Sequence, residues 1–257
     1  MRRTQTIFHA ALACALAAIA SSPARTAPCS FEPQGEGRVA AVIDARSFRL
    51  TDGREIRLAA IEPVSTEAAK RTAALSAIIA GRDVTLRAGD DAPDRYGRQT
   101  AFAFVAGEES SVQATLLAQG EAFAAADIPD KECAAALLAA EAAARDAKKG
   151  IWAGPSATKN AESTGDIVSG NGRFMLVEGR VLSVRQAGAT TYVNFGRNWT
   201  RDFAVTISRR MLPSLEAAGM APKSLENRRI RVRGFIETRT GPRIELLRAG
   251  QLELLAN

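Results

Sequence analysis

The chain has a single histidine and three cysteines, and beyond its first twenty residues it holds no apolar run of the ~20 residues that a bilayer-crossing helix needs. The histidine, His9, lies in a segment with the marks of a secretory signal. Arg2 and Arg3 precede an apolar run from Ile7 to Ala20, which closes on the small-x-small pattern Ala18-Ile19-Ala20. Residues 1–20 are therefore expected to be removed, leaving a soluble protein in a periplasm or outside the cell; an uncleaved anchor is the alternative. Cleavage takes away His9 and Cys14, and the remaining chain has no histidine and two cysteines, Cys29 and Cys133. That excludes Ser-His-Asp and Cys-His catalysis, histidine-based nuclease chemistry and any four-ligand N/S zinc site. Chemistry, if present, must use carboxylates, arginines or hydroxyls.

Two cysteines in an oxidising compartment allow one pairing, Cys29 with Cys133, which would close a loop of about 100 residues; two separate thiols are the alternative. Charge is unevenly spread. From Ser21 to Gly172 there are 17 Lys and Arg against 21 Asp and Glu, net −4. From Arg173 to Asn257 there are 15 against 7, net +8, and 14 of the 15 are arginine, the residue suited to bidentate phosphate contacts.

Ala153 to Gly172 is rich in Gly, Ser, Thr, Asn and Pro with no apolar period, and reads as a flexible linker (153–172) between a domain at 29–152 and a second, basic one at 173–257. In the first, Arg38–Ile43, Ser47–Leu50 and Glu55–Ala60 read as strands, with Asp52-Gly53 as a hairpin turn. A helix over Ser65–Ala80, strands at Val84–Ala88 and Gln99–Val105, and helices at Ser111–Gln119 and Asp130–Lys149 follow. The second domain repeats the order: Phe174–Val184, Thr190–Phe195, Phe203–Ile207, a helix near Arg209–Ala218, then Arg229–Thr238 and Arg243–Leu247. The expected fold is α+β, mainly β: tandem barrels of the OB type, the first extended by helices.

Four segments carry a family likeness. They are Val42-Ile43-Asp44-Ala45-Arg46-Ser47; Ile56-Arg57-Leu58-Ala59-Ala60-Ile61-Glu62-Pro63; Asp94-Arg95-Tyr96-Gly97-Arg98; and Ala140-Glu141 through Gly150-Ile151-Trp152. In this order and spacing, roughly Gly37 to Trp152 resembles the staphylococcal (thermonuclease-like) nucleases. The resemblance implies calcium-assisted phosphodiester hydrolysis: aspartates hold the metal, a glutamate serves the attacking water, and two arginines neutralise the phosphate. The arginines correspond to Arg57 and Arg98.

The metal site departs from the pattern. Of its aspartates Asp44 remains, one is replaced by Arg46 and another by Glu62; the base glutamate aligns with Ser65 or falls in a deletion, with Glu67 as a candidate substitute. A unit of like charge at ~4 Å costs about 4 kcal/mol at an effective dielectric of 20, so Arg46 disfavours a divalent ion. The expectation is no cofactor, Ca2+ only if the family site survives, and an ion pair between Arg46 and Glu62 in its stead.

In Arg229-Ile230-Arg231-Val232-Arg233-Gly234-Phe235, period-2 alternation puts Arg229, Arg231, Arg233 and Phe235 on one strand face. That suits single-strand binding, charges for backbone and a ring for bases; a solvated outer face is the alternative. The expected function is nucleic-acid or other polyanion binding by a degenerate nuclease relative. An active secreted nuclease and an envelope structural or protein-binding module are the other readings.

Overall fold

A computed structural model of the chain describes Cys29 and residues 31–256 except 91, 126, 127, 129 and 156; the signal segment 1–20 lies outside the described residues. The first unit opens with β1 (Glu32–Asp44), β2 (Ser47–Leu50), β3 (Glu55–Leu58) and β4 (Ile61–Pro63). Then come α1 (Ala68–Ile79), β5 (Asp83–Ala88), β6 (Gln99–Val105), α2 (Val112–Gln119), β7 (Ala122–Ala124) and α3 (Lys131–Asp146). β1 serves two neighbours: Glu32 to Arg38 pair with β5, and Val39 to Asp44 with β2. With β3 parallel to β6 and β6 antiparallel to β5, the barrel closes as β1-β2-β3-β6-β5.

Alternation fills it, since Phe48, Leu50, Ile56, Leu58 and Leu86 are all at most 1% exposed while Arg49 and Arg57 between them face outward. The helices stop where local chemistry stops them. Ser111 accepts a hydrogen bond from the Ala114 amide at 3.1 Å and Asp130 one from the Cys133 amide at 2.6 Å, capping α2 and α3; Gly120 ends α2 in the left-handed conformation. Cys29 and Cys133 form a disulfide, tying the start of β1 to the first turn of α3.

The second unit contains β8 (Thr158–Asn160), α4 (Thr164–Val168), β9 (Phe174–Arg180), β10 (Ser183–Ala187), β11 (Thr190–Asn194) and β12 (Ala204–Ser208). It ends with α5 (Leu212–Ala217), β13 (Arg229–Thr238), β14 (Pro242–Leu246) and β15 (Leu252–Leu254). Its pairing repeats that of the first unit. β9 pairs with β13 and β10 with β11, β12 lies parallel to β14, and β13 is antiparallel to β14. β9 and β10 correspond to the two halves of β1. Only Val181 and Leu182 separate them, the first donating to Arg228 O at 2.9 Å and the second to Asn194 O at 2.8 Å. The interior holds Val193, Phe203, Val205, Ile230, Val232 and Ile244, none exposed.

Three features differ from the sequence reading. The stretch 153–172 is not a free linker: β8 adds parallel to β9, α4 follows, and Ala161 and Ile167 are buried in the second core. Polar composition concealed it because few apolar side chains, Ala157, Ala161 and Ile167 among them, carry its docking. β4 and β7 form a two-stranded sheet of three residues each, too short for a period to register. Finally, the outer face of β13 is covered by the first unit at Arg233.

That contact is charged at its centre. Arg233, unexposed, donates to both carboxylate oxygens of Glu141 at 3.0 Å, to Ala124 O at 2.9 Å, and to Glu253. Glu141, on α3 and equally buried, also accepts from the Ala124 amide at 2.7 Å. Burial pushes the Glu253 carboxyl up, but the combined pull of Arg233 and Arg231 outweighs it and holds the carboxyl below its ordinary value. Beside this ion cluster runs an aromatic ladder. Trp152, Phe123, Phe174 and Phe235 follow one another at centroid separations of 5.5, 6.2 and 5.5 Å, crossing from one unit to the other.

Candidate functional site

The nuclease-type positions gather at one end of the first barrel, and the strand register explains why. Arg46 sits in the turn between β1 and β2, Ser47 pairs with Arg57, Arg57 pairs with Thr100, and Arg98 lies two residues before Thr100. Glu62 is delivered by β4, whose pairing with Phe123 of β7 fixes it under the turn. The short sheet that sequence periodicity missed is thus what aims the carboxylate.

Arg46 and Glu62 form an ion pair at 2.5 Å, with side chains 14% and 15% exposed. The same guanidinium nitrogen donates to Ile61 O at 3.0 Å, and the Arg46 main chain is clamped by Asp44, whose carboxylate accepts its amide at 2.8 Å. The donor set does not fit calcium. A hard divalent ion needs converging oxygens, and here the Glu62 oxygen is already bonded to a cation. Among the described residues, no group of three His, Cys, Asp or Glu side chains is placed to hold a metal.

Arg57 and Arg98, the two arginines expected to face phosphate, differ in their surroundings. Arg98 is held by Asp94 at 2.7 and 2.9 Å. The hydrogen bond from Arg98 keeps the Asp94 carboxyl below its ordinary value, and Asp94, with weaker contributions from Glu55 and Asp44, raises Arg98. Asp94 is a partner that the sequence reading passed over, although it opens the motif that Arg98 closes, four residues away on the same turn. Arg57 is half-buried and, among the described residues, has no carboxylate within ion-pair distance. Tyr96, 67% exposed, lies under the guanidiniums of Arg95 and Arg98 at 4.9 and 5.1 Å.

Neither position considered for the missing glutamate offers a free carboxylate. Ser65 is exposed ahead of α1, and Glu67 turns its carboxylate to Arg71 at 2.9 Å and Lys70 at 3.7 Å. It serves the start of α1, where it adopts a left-handed conformation.

The basic strand proposed for nucleic acid does not present a cationic strip. Arg231 is 8% exposed and bound to Glu178 at 2.6 Å and Glu253 at 2.9 Å, and Arg233 is enclosed by Glu141 and Glu253. Only Arg229 and Phe235 remain exposed, and the Phe235 ring ends the aromatic ladder edge-on to Phe174. Alternation correctly put these arginines outside the barrel; it could not show that another domain and a neighbouring strand lie over them.

The fold and site together define a class: a five-stranded barrel with packed helices whose end carries Arg57 and Arg98, the two arginines that the nuclease resemblance singles out. Residues 55–154 match the family model described as Staphylococcal nuclease homologue, so the first unit contains an SNase-like domain, which supports a nuclease-like or nucleic-acid-binding function. The match begins after the turn that bears Arg46. No curated protein matches the chain.

Proposed function

We propose that the chain is an exported SNase-type protein that binds nucleic acid or another polyanion without hydrolysing it. The carrying observation is the Arg46–Glu62 ion pair, a guanidinium on the carboxylate that in the family faces the metal. Loss of a general base alone typically lowers a rate by 10² to 10⁴, and loss of a metal removes charge stabilisation of the transition state besides. Arg57 and Arg98 keep the means to contact a phosphate, and the net +8 of the C-terminal region adds long-range attraction. Export is supported by the Arg2-Arg3 and apolar leader and by the Cys29–Cys133 disulfide, which persists in an oxidising compartment. Among the described residues no helix is long and apolar enough to cross a membrane.

Anisotropy of a labelled oligonucleotide tests the reading. Affinity should fall linearly in log–log form with salt, and the oligonucleotide should be recovered uncut after prolonged incubation with calcium. Cleavage would contradict the proposal, as would an absence of binding at low ionic strength.

A further inference from the structure

The second barrel holds a groove of about 760 Å³ that no part of the site above uses. Its floor is the outer face of β10, β11, β12 and β14. One rung across these strands runs Ser183, Asn194, Ala204, Arg243, and the next runs Arg185, Tyr192, Thr206, Glu245. Ala204 and Thr206 keep the middle low, with Arg185 on one side and Arg243, next to Glu245, on the other.

Two loops make the walls, Gly196–Asp202 and Thr240–Pro242. The first is held in shape. Asp202 accepts the Asn198 amide at 2.8 Å, and Asn198 accepts both the amide and the hydroxyl of Thr200 at 3.2 and 2.7 Å. Gly196 is required for this packing, since a Cβ there would lie 2.0 Å from the Asp202 carboxylate. The rigid loop holds up Trp199 with 70% of its surface in solvent. Leaving so large an apolar ring exposed on an ordered loop forgoes burial that would stabilise the fold, which points to a ligand that covers it.

Charge in the groove is one-sided. Arg185, Arg197 and Arg243 line it against one carboxylate, Asp202, already engaged with the loop. Among the described residues Arg185 and Arg197 have no ion pair, and Arg243, held by Glu237 only at 3.5 Å, has a buried Nε without a hydrogen-bond partner. Arg185 and Arg197, without ion pairs, beside the exposed Trp199 ring and the half-buried Tyr192 ring, match a phosphodiester backbone with accessible bases. A duplex hides its base faces by stacking, whereas an unpaired strand offers them. The face is also the one on which small five-stranded barrels of this strand order take oligonucleotides.

We propose that this groove is a binding site for single-stranded nucleic acid, with Trp199 and Tyr192 stacking on bases and Arg185, Arg197 and Arg243 on the backbone. The proposal rests on the nucleic-acid reading above and locates the grip on the second barrel. Trp199 makes it directly measurable, because the chain has two tryptophans and the other, Trp152, is 7% exposed between the units.

The test titrates the intact oxidised protein with a fifteen-residue oligothymidylate at low salt, reading tryptophan fluorescence and, separately, anisotropy of the labelled strand. Quenching is expected, with weaker binding of a duplex of the same length. Trp199→Ala should weaken binding about ten- to hundred-fold, and Trp199→Phe should keep most of the affinity while abolishing the quench. Arg185→Ala with Arg197→Ala should reduce the log–log salt slope by about 1.4, two contacts at ~0.7 each. Unchanged thermal midpoints confirm that the variants fold. Binding that survives all these changes but is lost in Arg57→Ala with Arg98→Ala would overturn the groove and leave the general reading standing. Heparin quenching and binding as well as the oligonucleotide would overturn the base-stacking assignment, and no oligonucleotide binding at all would overturn both proposals.

Discussion

Arg46 stands where the nuclease pattern has an aspartate, and its guanidinium is ion-paired with Glu62 at 2.5 Å. The substitution Arg46→Asp removes one positive charge and restores a carboxylate beside Asp44 and Glu62. Calcium affinity, measured by calorimetry, should then rise by at least about 10³-fold, the equivalent of the ~4 kcal/mol like-charge penalty. Hydrolysis should not appear with it, because Ser65 carries no carboxylate and Glu67 is held by Arg71; recovery of both together would show that another group serves as base. The positions of Arg46, Glu62, Arg57 and Arg98 were legible from motif spacing, since each lies within a few residues of a recognisable segment. The burial of Arg231 and Arg233 was not: their partners Glu178, Glu253 and Glu141 are 53, 22 and 92 residues away, beyond any local period.

At the scale of elements, strands rich in apolar residues and bounded by turn signals, such as Ser47–Leu50 and Gln99–Val105, emerge with the bounds that their sequence suggests. Those that escaped are short or dock through one or two residues, as β4, β7 and β8 do. Arg38–Ile43 captured only the second part of β1, because Glu32 to Gly37 is polar and its outer residues stay exposed while its backbone pairs with β5. The Cys29–Cys133 bridge secures that polar beginning to α3 across 104 residues. Closing a loop of that length restricts the unfolded chain by roughly 4 to 5 kcal/mol in the chain-entropy treatment. Urea unfolding with and without reductant should show a loss of that order; a loss below about 1 kcal/mol would mean that the reduced chain stays tied by other contacts.

For the whole molecule, the Arg233–Glu141–Glu253 cluster and the aromatic ladder bind the two barrels together. Removing one partner of a buried ion pair costs about 3 to 5 kcal/mol. Arg233→Met should therefore lower stability by that amount and split a single unfolding transition into two, as calorimetry would reveal; an unchanged single transition would contradict the coupling. Acid acts on the same cluster. Because the folded-state value of Glu253 lies below its ordinary 4.5, its contribution is complete above about pH 4.5 and is lost as pH falls further. Thermal midpoints should accordingly decline below that pH more steeply than in a Glu253→Gln variant. From this cluster, a continuous path runs back to the barrel end: Arg233 and Glu141 hold Ala124 of β7, and β7 pairs with the strand that carries Glu62. The central claim is that a nuclease fold has been kept with its metal position filled by a guanidinium. Its most direct test is hydrolysis of single-stranded and duplex DNA by the oxidised protein, with calcium and with chelator. No cleavage above background in either condition is the predicted result; calcium-dependent cleavage that chelation abolishes would contradict it.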